Sequence, residues 1–163
     1  MANVLIGEAL AEAKHWLDKT AEVARGAGCG RAQCGTVIVN GGEVIAEGVN
    51  SPPAELESQR RCDKKHGLKA GFKSDRTCCI HAEQRAVMNA LRTSSDNLAG
   101  STLYFCRVDE NGERKISGRP YCTICSKMAL DAGVGFWVLE HAEGITKYAA
   151  DEYNDISFEY DGT

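Results

Sequence analysis

Two short clusters of metal-binding side chains constrain this chain more than any other feature: His81-Ala82-Glu83, and Cys122-Thr123-Ile124-Cys125 about forty residues later. Each opens a segment of helical periodicity. In the first, Ala82, Ala86, Val87, Ala90 and Leu91 recur at helical spacing, and the second runs from Cys122 to Ala132 before Gly133. Cysteines three residues apart share one face of a helix, and the amino end of that helix favours their thiolates. If the fold brings the two helix starts together, His81 supplies a third ligand. Three protein ligands leave the fourth tetrahedral position of a zinc ion open, as a catalytic site requires and a closed structural site does not. Glu83, two positions after His81, is then placed to take and return protons beside the metal. Cys-x-x-Cys alone also suits a redox pair or a structural zinc; the combination with His81 and Glu83 points to catalysis.

The remaining pattern supplies a scaffold for such a meeting. Leu5, Ala9, Ala13, Trp16, Leu17, Thr20 and Ala24 predict a first helix capped by Asn3 and closed by Gly26 and Gly28. Thr36 to Val39 and Val44 to Ala46 read as two strands joined by a tight turn at Asn40, Gly41 and Gly42. Residues from about 54 to 79 lack clean periodicity and read as a long, partly helical insertion. Ser101 to Val108 and Phe136 to Leu139 read as strands, with a polar turn or short hairpin from Asp109 to Arg119. A short helical crossover through Ile145, Tyr148 and Ala149 is expected to lead to a last, parallel strand near Ile156 to Tyr160. Trp16 and Trp137 fall on core positions, and Cys106 reads as a small buried apolar residue. The expectation is one α/β domain over residues 1–163, with helices on both faces of a mixed sheet.

At 163 residues, with 43% hydrophobic and 26% charged residues, the composition fits one soluble domain. No run is long enough to span a membrane and no export signal is evident, so a cytoplasmic location is expected. In that compartment the eight cysteines read as ligands, reactive thiols or buried residues rather than a disulfide framework. The net charge of -4 argues against a surface that binds nucleic acid throughout. Residues 60–76, however, carry seven cationic side chains against two carboxylates, a local net of +5 that could attract phosphate.

The two clusters, extended to Pro120-Tyr121-Cys122-Thr123-Ile124-Cys125, resemble the zinc signature of the cytidine and deoxycytidylate deaminase superfamily. The resemblance implies a three-layer α/β/α fold with a five-stranded mixed sheet. It also implies a catalytic Zn2+ on His81, Cys122 and Cys125, with Glu83 as proton shuttle in hydrolytic deamination. By the same resemblance, Asn50 would contact the sugar or ring, the Ala82 amide would face the pyrimidine carbonyl, and the chain would form a homo-oligomer. One departure stands out: Tyr121 separates Pro120 from Cys122, where the signature has proline directly before the cysteine.

A cytosine nucleotide or nucleoside is the expected substrate, and a deoxycytidylate-like monophosphate is favoured, with Arg60, Arg61, Lys64 and Lys65 as phosphate ligands. The alternatives are a deaminase editing adenine or cytosine in RNA or single-stranded DNA, a guanine-type free-base deaminase, and a non-catalytic zinc-stabilised binding module. Cys29, Cys34, Cys62, His66, Cys78 and Cys79 are candidates for a second, structural Zn2+, a looser feature of the same resemblance.

Overall fold

The computed structural model describes residues 2–61 and 78–161. Helix α1 (Gly7–Ala24) buries Ala13, Leu17, Thr20, Ala21 and Ala24 along one face. Asn3 is not its cap. Asn3 and Val4 form a two-residue strand, β1, against the far end of the sheet, and Ile6 occupies the cap position without a side-chain bond. Strands β2 (Gln33–Asn40) and β3 (Glu43–Val49) form the expected hairpin. Gly41 and Gly42 both take positive φ, +60° and +77°, the pair of left-handed residues that a tight right-twisted hairpin turn demands.

Helix α2 (Ala82–Thr93) follows the insertion and buries Ala82, Glu83, Ala86, Val87 and Ala90. Leu91, expected on this face, is half exposed, because it lies just beyond the stripe that meets the sheet. The small residues on this face let α2 settle closely on β3. Contact is tightest at Gly48, where any Cβ would collide with the backbone of Ala82 and Ala86. The base of the insertion is pinched by Ile80, whose amide donates to the Ser51 carbonyl at 2.9 Å.

Beyond α2, strand β4 (Thr102–Val108) pairs with β2 on one side. Its other side is shared: β6 (Phe136–His141) runs parallel to Thr102–Tyr104, and the two-residue β5 (Arg114–Lys115) is antiparallel to Arg107–Val108. Helix α3 (Thr123–Asp131) makes the crossover between the parallel pair β4 and β6.

The last third of the chain departs from expectation. Gly144–Ala149 is a strand, β7, antiparallel to β6 across a two-residue loop, and Ala150–Phe158 is a helix, α4. The predicted crossover and parallel last strand are therefore interchanged with a hairpin and a helix. Ala150, Tyr153 and Ser157 are the buried positions of α4, at helical spacing, whereas the near-alternation of buried residues in Gly144–Ala149 belongs to a strand.

The sheet has seven strands rather than the expected five, ordered β1-β7-β6-β4-β2-β3 with β5 on β4: β7 stands in for the expected last strand, and the two-residue β1 and β5 are added. Helices cover both faces. Val37, Val39, Tyr104 and Val138 meet α1, while Ile38, Leu103, Trp137 and Leu139 meet α2, α3 and α4. Trp137 is fully buried, Trp16 is partly buried against the α1 side, and Cys106 lies in the core. No described helix is long and apolar enough to cross a membrane.

Candidate active site

The two sequence clusters meet where α2 and α3 begin. His81 is the N-cap residue of α2 and Cys122 that of α3, so both occupy the positive end of a helix. The amide of His81 donates to Gln84 Oε1 at 3.0 Å, which fixes the entry into α2. His81 Nδ1 lies 3.2 Å from Cys125 Sγ and 3.4 Å from Cys122 Sγ. All three ligand atoms fall within 4.8 Å of one another.

Charge in the cluster is shared unevenly. The hydrogen bond from Cys125, helped by His81, pushes the Cys122 thiol down to about 4. The same contact with Cys122, together with burial, raises Cys125, and the hydrogen bond with Cys122 raises His81. One imidazole and two sulfurs, one of them at a helix start that favours its thiolate, form a donor set that suits zinc. Among the described residues this is the only such group of three or more.

Glu83 is 9% exposed and lines the same cavity as Cys122. Burial, reinforced by the nearby Cys122, pushes its carboxyl up to about 7 in the metal-free protein. The cavity has a volume of about 330 Å³; Phe105 and Tyr153 line it alongside Glu83, and Tyr121 and Tyr160 contribute more exposed rings. Arg107, Lys115 and Arg119 complete a cationic wall. The sequence reading missed these last three and Tyr153. A signal for Arg107 existed: it follows Leu103 and Phe105 on one face of β4, where a cation interrupts an otherwise apolar row.

The remaining candidates are more dispersed. Asn50 is buried, and its Oδ1 accepts from the Cys34 amide at 2.8 Å while its Nδ2 donates to the Ala32 carbonyl at 2.8 Å. It ties the end of β3 to the start of β2. Ala82 is fully buried in the first turn of α2. Arg60 binds both carboxylate oxygens of Glu57, each at 2.7 Å, and the Gly28 carbonyl at 2.8 Å. Arg61 donates to the carbonyls of Ser58 and Arg60. Neither arginine lines the cavity at Glu83. Lys64, Lys65, Cys62 and His66 lie outside the described residues. Cys78 Sγ is 3.7 Å from Cys79 Sγ, and Cys29 contacts Cys79, whereas burial pushes Cys34 up to about 11 beside Arg107.

The family profile for the cytidine and deoxycytidylate deaminase zinc-binding region matches residues 10–141. The chain belongs to this deaminase family. The matched span includes His81, Glu83, Cys122 and Cys125 and ends at the last residue of β6. Among solved structures, the dCMP deaminase of cyanophage S-TIM5 in complex with dCMP and dUMP is similar, with a TM-score of 0.55 and 22% identity over 80% of this chain and 79% of that one. The cytidine deaminase of Burkholderia pseudomallei is also similar, with a TM-score of 0.53 and 17% identity over 91% and 96% of the two chains. At these identities the likeness is one of fold. No sequence among curated proteins matches the chain at a significant level.

Proposed function

We propose that this member of the deaminase family hydrolyses the exocyclic amine of a cytosine nucleotide or nucleoside, with a deoxycytidylate-like monophosphate as the preferred substrate. The observation that carries the reading is the burial of Glu83 in a cavity whose wall includes Cys122, one of three convergent metal ligands. His81, Cys122 and Cys125 would hold zinc, which when bound supplies Lewis-acid activation of water at neutral pH. Glu83 accepts a proton from the attacking water and delivers it to the ring nitrogen beside the reacting carbon. It then moves the second proton to the departing amine, so that water is consumed and ammonia leaves as the ring carbonyl forms. Phe105 and Tyr153 give the cavity apolar walls that limit bulk water around this exchange.

A second, structural zinc belongs to the same reading, supported by the contacts of Cys29 and Cys78 with Cys79. Two zinc ions per purified chain would support it and one would remove it. The homo-oligomer expected from the resemblance is tested by light scattering at micromolar concentration, where a monomer mass contradicts it.

The test of function is ammonia release from a panel of cytidine, deoxycytidine, their monophosphates, cytosine, adenosine, guanine and single-stranded oligonucleotides. Turnover of a cytosine monomer is the expected result. Turnover confined to guanine, adenosine or oligonucleotides would replace the substrate assignment, and none on any compound by zinc-loaded protein would remove the enzymatic one.

A further inference from the structure

Strand β5 sends its two side chains in opposite directions, into opposite electrostatic surroundings. Arg114 turns toward α1 and meets two carboxylates, pairing with Asp18 and with Glu140 Oε2, the latter at 2.9 Å. Lys115 turns the other way, to the face of the active-site cavity, where its register partner across the β4–β5 ladder is Arg107. Like charges directly opposite on one face of an antiparallel pair destabilise it. Arg119 adds a third cation to the same wall.

None of the three forms an ion pair with a carboxylate among the described residues. The Nε of Arg107 is buried and has no hydrogen-bond partner among the described residues, while its guanidinium is held against Tyr121 and Cys34. Among the described residues Glu83 is the only acidic side chain lining the cavity. A chain of net charge -4 thus collects, on one wall of its reaction chamber, three cations that no described carboxylate pairs with. Lining one cavity, they suit a compact anion, which would offset the repulsion between Arg107 and Lys115.

We propose that Arg107, Lys115 and Arg119 form the phosphate subsite of this cavity, so that the substrate is a pyrimidine nucleoside monophosphate. The inference rests on the deaminase reading and deepens it by assigning the anion to residues of the β4–β5 hairpin and the loop after it. The volume of about 330 Å³ lies at the low end for small-ligand pockets and suits a mononucleotide. An extended strand needs cations spaced along a groove.

Lys115 and Arg119 are exposed, so Lys115→Gln and Arg119→Gln test the subsite without opening the core. Zinc-loaded wild type and variants would be compared on deoxycytidylate and deoxycytidine, and each would be titrated calorimetrically with deoxyuridine monophosphate and with deoxyuridine. The expected result is a fall of about 10- to 100-fold in the nucleotide-to-nucleoside ratio of kcat/KM in each variant, the size of a lost charge-assisted contact. A parallel loss of affinity for deoxyuridine monophosphate relative to deoxyuridine should accompany it. An unchanged ratio would overturn the subsite, as would an equal loss on both substrates. So would a ratio that falls instead in Arg60→Gln or Lys64→Gln, or turnover on oligonucleotides only. If wild type deaminates nothing, the deaminase reading fails and the titration alone decides the subsite. Phosphate-dependent binding lost in Lys115→Gln then supports it, and equal binding of nucleotide and nucleoside rejects it.

Discussion

Trp137 and Tyr153 stack with ring centroids 4.0 Å apart and planes 11° from parallel. The contact clamps α4 onto β6 at the point where Tyr153 enters the cavity beside Glu83. Replacing Tyr153 with alanine removes a stacked, buried ring and should cost about 3–5 kcal/mol of stability, as deletion of large aromatic side chains from cores generally does. Tyr153→Phe keeps the stack and should cost less than about 1.5 kcal/mol. Urea unfolding of the zinc-loaded proteins measures both, and equal stability of the alanine variant and wild type would show that the stack does not hold α4.

Alanine at His81, Cys122 or Cys125 should each lower zinc content, because every one of these ligand atoms lies within 4.8 Å of the other two. Metal analysis of the purified variants is the check. A full complement of zinc in all three would place the metal elsewhere.

Zinc-loaded Glu83→Gln should retain its metal and lose at least on the order of 10²-fold in turnover, since an amide keeps the shape but accepts no proton. Near-normal turnover in this variant would assign the proton transfer to another group.

The same residue makes the metal-free protein sensitive to pH. Its carboxyl is raised from an ordinary value of 4.5 to about 7 by burial. Below the lower value it is protonated in both the folded and unfolded chain and contributes no difference. Between the two values the unfolded chain releases the proton while the folded chain keeps it, so stability falls as pH rises; above about 7 the loss is complete. Chelator-treated Glu83→Gln should therefore gain on wild type progressively across this window and hold a constant lead above it. Urea midpoints measured from pH 4 to 8 provide the comparison, and a flat difference would mean that the carboxyl is already solvated.

Gly48→Ala should cost about 1–3 kcal/mol by overpacking and also reduce activity, because the added methyl group meets the Ala82 and Ala86 backbone and pushes the start of α2 away from β3. Unfolding and turnover measured on one preparation should fall together. A stability loss with full turnover would show that the ligand geometry tolerates the shift.

The meeting of His81, Cys122 and Cys125 beside Glu83 was legible in the sequence because each sits within one turn of a helix start, where a few adjacent letters fix the local structure. The hairpin at Gly41 and Gly42 was legible for the same local reason. Gly144–Ala149 and Ala150–Phe158 were not, because two short segments with apolar residues at Ile145, Tyr148, Tyr153 and Ile156 satisfy strand and helix periods almost equally well. Only pairing with β6 separates them. Asn3 was misplaced because its partners, Lys147 and its neighbours, lie at the other end of the chain. The cationic wall was obscured in a different way: Arg107 closes an otherwise apolar strand, Lys115 and Arg119 fall in a polar turn or short hairpin, and only the register of β4 and β5 turns two of them toward the same space.

His81 and Cys125 are 44 positions apart in sequence and meet at 3.2 Å. An ion gripped there closes a loop of that length, and if the closure acts as a covalent cross-link does, it removes roughly 4 kcal/mol of freedom from the unfolded chain. Occupancy of this candidate metal site would thus also govern how long the protein survives between openings. Slow metal loss would shorten the working life of the folded chain by letting the amino ends of α2 and α3 part, and metal supply would set abundance as well as rate.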